Sequence, residues 1–412
     1  MTATPPPATG PYPGLGFRQF VAMIAALMAT NALAIDSMLP ALPEIGEALG
    51  IVSPNDRQWV VTSYLLGFGA AQIIYGTLAD RFGRRKVLLI GLAIYAAGSM
   101  AATFATSFEA MMVARVVQGI GAAASRVLAV SIVRDTFSGR QMARVMSLAF
   151  IVFLAVPILA PSIGQVIILV APWRWIFALL GLFGVVVALW VARKLPETLH
   201  PDDRTPIAFW PVISAFGICL TTRQSVGYML AMTFVIGSLF GFINASQQLF
   251  EDVFRASDIF TIVFAVIAGF MALASFLNSR IVERFGMRRV SHTALIGYLA
   301  ATLIHGSVAL AGYETLWTFT LFQCATMFFF GLMASNFGAL AMDPLGHVAG
   351  TASSVQGFVS TVGGALIGFW IGQHFNGTAL PIVLGFGACG VAALAMVLIA
   401  EKGRLFRPQT AR

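Results

Sequence analysis

Twelve apolar runs, each near the length that crosses a bilayer, leave this chain few ways to fold. They lie at about 19–39, 59–78, 87–106, 108–133, 141–170, 173–192, 225–249, 258–279, 289–311, 315–341, 348–374 and 378–400. A helix needs about 20 such residues to span the hydrocarbon core. The chain is 58% hydrophobic and 10% charged, against about 25% charged in an ordinary soluble domain. An all-α integral membrane protein with twelve transmembrane helices is therefore expected. Residues 205–222 hold Trp210, Pro211 and Phe216 among polar neighbours, and fit a surface helix better than a span.

The charges set the expected orientation. With an even number of spans, both termini share one side. Twenty of the 25 Lys and Arg residues fall on that side, three (Arg57, Arg174, Arg255) on the other, and Arg115 and Arg126 inside the fourth span. Positive charge marks the cytoplasmic side, so both termini are expected there. This placement explains the net charge of +8 without a nucleic-acid partner. Residues 1–16, rich in Pro and Gly, are expected to be a flexible cytoplasmic tail with no cleavable signal. Cys219, Cys324 and Cys389 lack metal-type spacing and are expected to be free, packed thiols.

The chain also repeats itself. Asp80-Arg81-Phe82-Gly83-Arg84-Arg85 lies between spans 2 and 3. Glu283-Arg284-Phe285-Gly286-Met287-Arg288-Arg289 lies 203 residues later, between spans 8 and 9. Two six-helix bundles in the same orientation are expected, at 17–192 and 225–400. A cytoplasmic linker at 193–224 joins them, and a tail at 401–412 ends the chain. A parallel duplication of six-helix halves is a known way to build a secondary transporter, with its site at mid-membrane between the halves.

Several ordered motifs resemble the major facilitator superfamily over nearly the whole chain. Gly76 to Lys86, with Asp80, Arg81, Gly83 and Arg84, is similar to its loop 2–3 signature. Arg115-Val116-Val117-Gln118-Gly119-Ile120-Gly121 is similar to its span-4 motif. Ala155-Val156-Pro157 through Pro161 and Gly164 resembles the span-5 motif of proton antiporters. Asp36-Ser37-Met38-Leu39-Pro40-Ala41-Leu42-Pro43, with Arg134-Asp135, resembles the bicyclomycin and phenicol resistance (Bcr/CflA) branch of drug:proton antiporters. The resemblance implies alternating access, no cofactor beyond the proton gradient, small-molecule substrates and a place in the bacterial inner membrane. It leaves open an exporter of one specific metabolite or an uptake symporter of the same fold. A monomer surrounded by membrane lipid is expected. A membrane enzyme is disfavoured, because the five histidines are scattered.

Asp36 is an acid near the outer end of an apolar run, where a charge costs roughly 2.5–3.5 kcal/mol on insertion scales. It lies ~6 Å of helix rise below Pro40, and Arg115 lies ~10 Å into a span running the other way. Their depths match, so an ion pair is expected. Burial favours the neutral acid, and a nearby guanidinium favours the anion. A group balanced in this way is suited to carry the coupling proton; a permanent structural pair is the alternative.

Arg126 follows Arg115 by eleven residues, within ~20° of three full turns and ~16 Å deeper. It faces the same side of the helix. It suits neutral or acidic polar substrates, or else snorkels to the nearer membrane face. Tyr64, Gln118, Asn244, Asn336 and Gln356 complete the expected substrate contacts. Gly76, Asp80, Arg81, Gly83, Arg84, Arg134 and Asp135 form an expected cytoplasmic gate, or a solvated cluster that only sets topology. Pro157, Pro161 and Gly164 are expected to shape a close-packed face that hinders leak, or simply to kink span 5. His305 is expected to be a packing residue.

Overall fold

The structure, a computed structural model, describes residues 15–204 and 210–406. The expected tails at 1–16 and 401–412, and the start of the linker helix, lie partly outside the described residues.

The first bundle is built from α1 (Phe17–Asp36), α3 (Trp59–Phe82), α4 (Arg84–Thr103), α5 (Phe108–Thr136), α6 (Gly139–Val170) and α7 (Arg174–Lys194), with the short α2 (Leu42–Ala48) between α1 and α3. The second holds α9 (Arg223–Gln248), α10 (Phe260–Phe285), α11 (Met287–Leu310), α12 (Leu316–Met342), α13 (Ala349–Gln373) and α14 (Leu380–Ala400). Between them α8 (Trp210–Thr221) lies against α9 and α13, where a surface helix was expected. Eleven helices among the described residues are long and apolar enough to cross a membrane. The twelfth long helix is α6, which carries Pro157 and Pro161 in its interior. Outward faces are apolar, with Leu182 and Leu303 exposed by more than half. Such surface is stable only against lipid, so this is a multi-pass membrane protein. All three cysteines are buried and free.

The first span is shorter than its apolar run. Helix α1 stops at Asp36, and a 3-10 turn at Leu39–Ala41 leads into α2. Pro40 stands in the first turn of that 3-10 segment and Pro43 in the first turn of α2, where a missing N–H costs nothing. Asp36 thus sits at a helix end, beside carbonyls with no partner inside the helix.

Two seams join the bundles, α3 against α13 and α6 against α10. Helices α1 and α3 both pack on α5 and meet each other only sparsely, at the Tyr64–Asn31 hydrogen bond. Helix α5, flanked by both, shares no packed seam with any helix of the second bundle, so the space along it is left as a groove between α1 and α3. At the end away from the chain termini, four amides clasp the bundles together. The Asn55 side-chain amide donates to the carbonyls of Gln373 (3.1 Å) and Phe375 (3.0 Å). Gln58 donates to Gln248 Oε1 (2.7 Å) and to the Gly372 carbonyl (3.0 Å). Gln248 in turn donates to Asn55 Oδ1 (2.9 Å), and Gln373 to the Asn55 carbonyl (2.8 Å). Trp59 packs against Phe369 beside them, its ring tilted, 4.2 Å between centroids. Deeper in, Gln72 donates to Thr361 Oγ1 (3.1 Å). Nearer the termini, no side-chain hydrogen bond among the described residues crosses between the bundles.

Candidate functional site

Arg115 is wholly buried and pins three elements. Its Nη2 donates to the Ala34 carbonyl (3.0 Å) on α1, and its Nε to the Val60 carbonyl (2.8 Å) on α3. Its Nη1 donates to Gln118 Oε1. The guanidinium lies over the Tyr64 ring at 4.5 Å and near Phe177 at 5.7 Å. The expected pair with Asp36 does not form: no ion pair between the two is present. The depths do match, since Ala34 is two residues from Asp36. However, Ala34 belongs to the last turn of α1, whose carbonyls lack helical partners. A cation at that helix end is favoured by the dipole, and Arg115 caps it. Asp36 is left buried, at 4% exposure, with Oδ1 lacking any hydrogen-bond partner.

Gly164 of α6 presses on the same point. A Cβ there would stand 1.7 Å from the Ser37 carbonyl oxygen, next to Asp36. Only glycine permits that approach. Gly164→Ala is expected to push α6 off the end of α1 and to lower stability by about 1–3 kcal/mol, as overpacking does. Thermal unfolding in detergent, together with proton leak through vesicles carrying the variant, checks this.

Arg126 is half-buried, and among the described residues no hydrogen bond or ion pair holds it. It lies on the Arg115 stripe, farther along α5 toward the end that bears the chain termini. Tyr64 and Gln118 have no exposed surface in this conformation. Tyr64 donates to Asn31 Oδ1 (2.8 Å), and Gln118 donates to Ser99 Oγ (2.8 Å), so both serve to hold Arg115. Asn244 is buried at the junction of the bundles, 3.4 Å from Thr62 Oγ1, with its Oδ1 unpaired. Asn336 turns into its own bundle and donates to Asn278 Oδ1 and the Leu332 carbonyl, both at 2.7 Å. Gln356 donates to the Gly338 carbonyl (3.3 Å). These last two tie helices of the second bundle together. His305 is not isolated: its Nε2 lies 3.0 Å from Glu314 Oε1.

At the end bearing the termini, Arg84 bridges Asp80 (2.6 Å) and Asp135 (3.0 Å). Glu197, which no sequence motif marks, accepts from the backbone N–H groups of Arg84 (2.7 Å) and Arg85 (3.2 Å). Gly83 makes this possible. Its φ is +96°, and a Cβ would fall 2.3 Å from Glu197 Oε2. Gly76 faces Ser354 on α13. Arg81 and Arg134 are exposed and outside the cluster. The second bundle also places an acid after its last helix, but with different partners: Glu401 accepts from Arg288 Nε (2.6 Å) and from the Tyr228 hydroxyl (2.7 Å). Glu401 comes 204 residues after Glu197, so the duplication itself carried the signal that identifies both.

Two like bundles, clasped at one end around a groove, have the architecture of an alternating-access carrier. The Major Facilitator Superfamily model matches residues 22–368, and the chain belongs to that family of transporters. The bicyclomycin resistance protein homolog of Haemophilus influenzae is 31% identical, over 91% of this chain and 94% of its own length. The MFS-type transporter YdgK of Bacillus subtilis is also 31% identical, over 87% and 90%. The multidrug resistance protein MdtL of Klebsiella pneumoniae is 28% identical, over 94% and 97%. The xylose transporter XylE of E. coli, in a partially occluded inward-open conformation, shares the fold with a TM-score of 0.72 at 13% identity, covering 95% of this chain and 98% of its own.

Proposed function

We propose that this protein exports small amphipathic drugs or toxic compounds across a bacterial inner membrane in exchange for protons, with Asp36 as the proton carrier. The observation that carries the proposal is the state of Asp36. It is a buried acid at a helix end with one oxygen unpartnered, free of the ion pair that would fix its charge. An acid so placed can take or release a proton when water reaches it from one side and then the other. The likeness to the bicyclomycin and multidrug resistance proteins supports the direction and substrate class.

The bias of Lys and Arg supports a cytoplasmic location for both termini. The amide clasp then closes the outer side, and the groove opens inward. Substrate enters beside Arg126, and the Asp80–Arg84–Asp135 cluster with Glu197 braces the cytoplasmic ends of the first bundle while the halves rock. Tyr64 and Gln118 act through Arg115, and Asn244 lies where the bundles part. The carrier works as a monomer.

The test uses the full chain in vesicles containing a trapped pH dye, with a pH gradient imposed. Adding chloramphenicol, bicyclomycin or an acidic drug such as nalidixate is expected to speed proton movement in proportion to drug movement. Drug movement with no accompanying proton flux would falsify the coupling; no drug movement in either case would remove the exporter reading.

A further inference from the structure

Arg126 carries more information than its place in the groove. An arginine keeps its charge in any protein environment, so a membrane-embedded one needs a compensating partner. Arg115 has carbonyls, an amide and an aromatic ring for this purpose. Arg126 has none of these. The next acid along its own helix is Asp135, nine residues on or ~13 Å of rise, and Arg84 already holds it. Asp36 stands ~16 Å away in height, level with Arg115. No other acid among the described residues lies within a span at the depth of Arg126. The groove therefore holds one fixed cation that no described protein group compensates, on a half-buried side chain.

We propose that the groove is selective for monoanionic amphipathic substrates, whose carboxylate or similar acid group seats on Arg126. The proposal rests on the carrier reading above and narrows its substrate class. A planar guanidinium matches a carboxylate with two parallel hydrogen bonds. The rest of the ligand lies along the groove toward Asp36, between α1 and α3. A neutral ligand satisfies donors but leaves the charge uncompensated, and a cationic one is repelled. Exchanging one such anion outward for one proton inward moves two elementary charges in the same sense. Export then draws on the membrane potential as well as on the pH gradient.

Three dansyl probes that share one fluorophore test the idea: dansylglycine (an anion), its methyl ester (neutral) and dansylcadaverine (a cation). Binding to the purified full chain in detergent is read from dansyl fluorescence. The native protein is expected to bind dansylglycine about tenfold or more tightly than the other two, the margin of one charge-assisted hydrogen bond or pair. Arg126→Gln is expected to reduce the anion to about the affinity of the ester, a loss of about tenfold or more, with a much smaller change for the ester itself. Arg126→Lys is expected to keep part of the margin. Equal affinity for all three probes, no binding of the anion, or an anion preference that survives Arg126→Gln overturns the proposal. Should Arg126→Gln fail to fold, the native panel decides alone. The assay involves no proton gradient, so its failure is separable from failure of proton coupling.

Discussion

Asp36→Asn is expected to abolish proton-driven export while the protein still folds and still exchanges substrate for substrate. The amide matches the carboxyl in shape but carries no titratable proton. Positioned proton transfer contributes on the order of 10²–10⁴-fold in other systems, and a loss of at least 10²-fold in proton-coupled flux is expected here. Stability should hold or rise, because a neutral amide costs less to bury than a carboxylate. Two measurements check this together: substrate-induced proton flux in vesicles, and radiolabelled exchange at equal pH on both sides. Native proton flux in the variant would return Asp36 to a structural role. Loss of exchange as well as flux would mean that Asp36 touches substrate directly.

Arg115→Met is expected to have the largest effect on folding. The guanidinium satisfies the end of α1 through Ala34, the start of α3 through Val60, and Gln118. Removing it leaves buried acceptors without donors, each costing roughly 1–3 kcal/mol. A total of about 3–5 kcal/mol is expected, comparable to breaking a buried charge pair. Arg115→Lys rescues little, since one ammonium cannot reach three elements with the geometry of a planar fork. Thermal unfolding in detergent reads the effect. A variant as stable as the native chain would mean that the three acceptors find other donors.

The membrane helices and their duplication were legible because lipid leaves one solution for a long apolar run, and the repeated Asp/Glu-Arg-Phe-Gly loops recur at a fixed offset. The stripe joining Arg115 and Arg126 came from helix geometry alone. Which partner Arg115 takes was not legible. Depth matching pointed to Asp36, but the chain breaks at Asp36, and a helix end offers carbonyls that a continuous span would not. The clasp was invisible for a different reason. Asn55, Gln58 and Gln373 are common polar residues near span ends, and nothing local shows that they meet across more than 300 residues of sequence. Asn336 and Gln356 were expected to line a cavity because polar residues in spans often do; here they tie neighbouring helices instead. Glu197 was missed because it lies just past a span, where acids are ordinary.

The clasp at the far end is made entirely of amides and backbone carbonyls. None of these groups titrates, and none carries net charge. Its strength is therefore the same in acid and in neutral medium, and a voltage across the membrane does no work on its opening. In the proposed orientation this clasp is the outer door, and it has no sensor of its own. With Asp36 as the proposed proton carrier, the signal is conveyed from the end of α1, through the Arg115 brace that ties α1 to the start of α3, to the segment of chain that bears Asn55 and Gln58. Carriers that lock the outer side with ion pairs have a latch weakened by salt; this one has a latch indifferent to it.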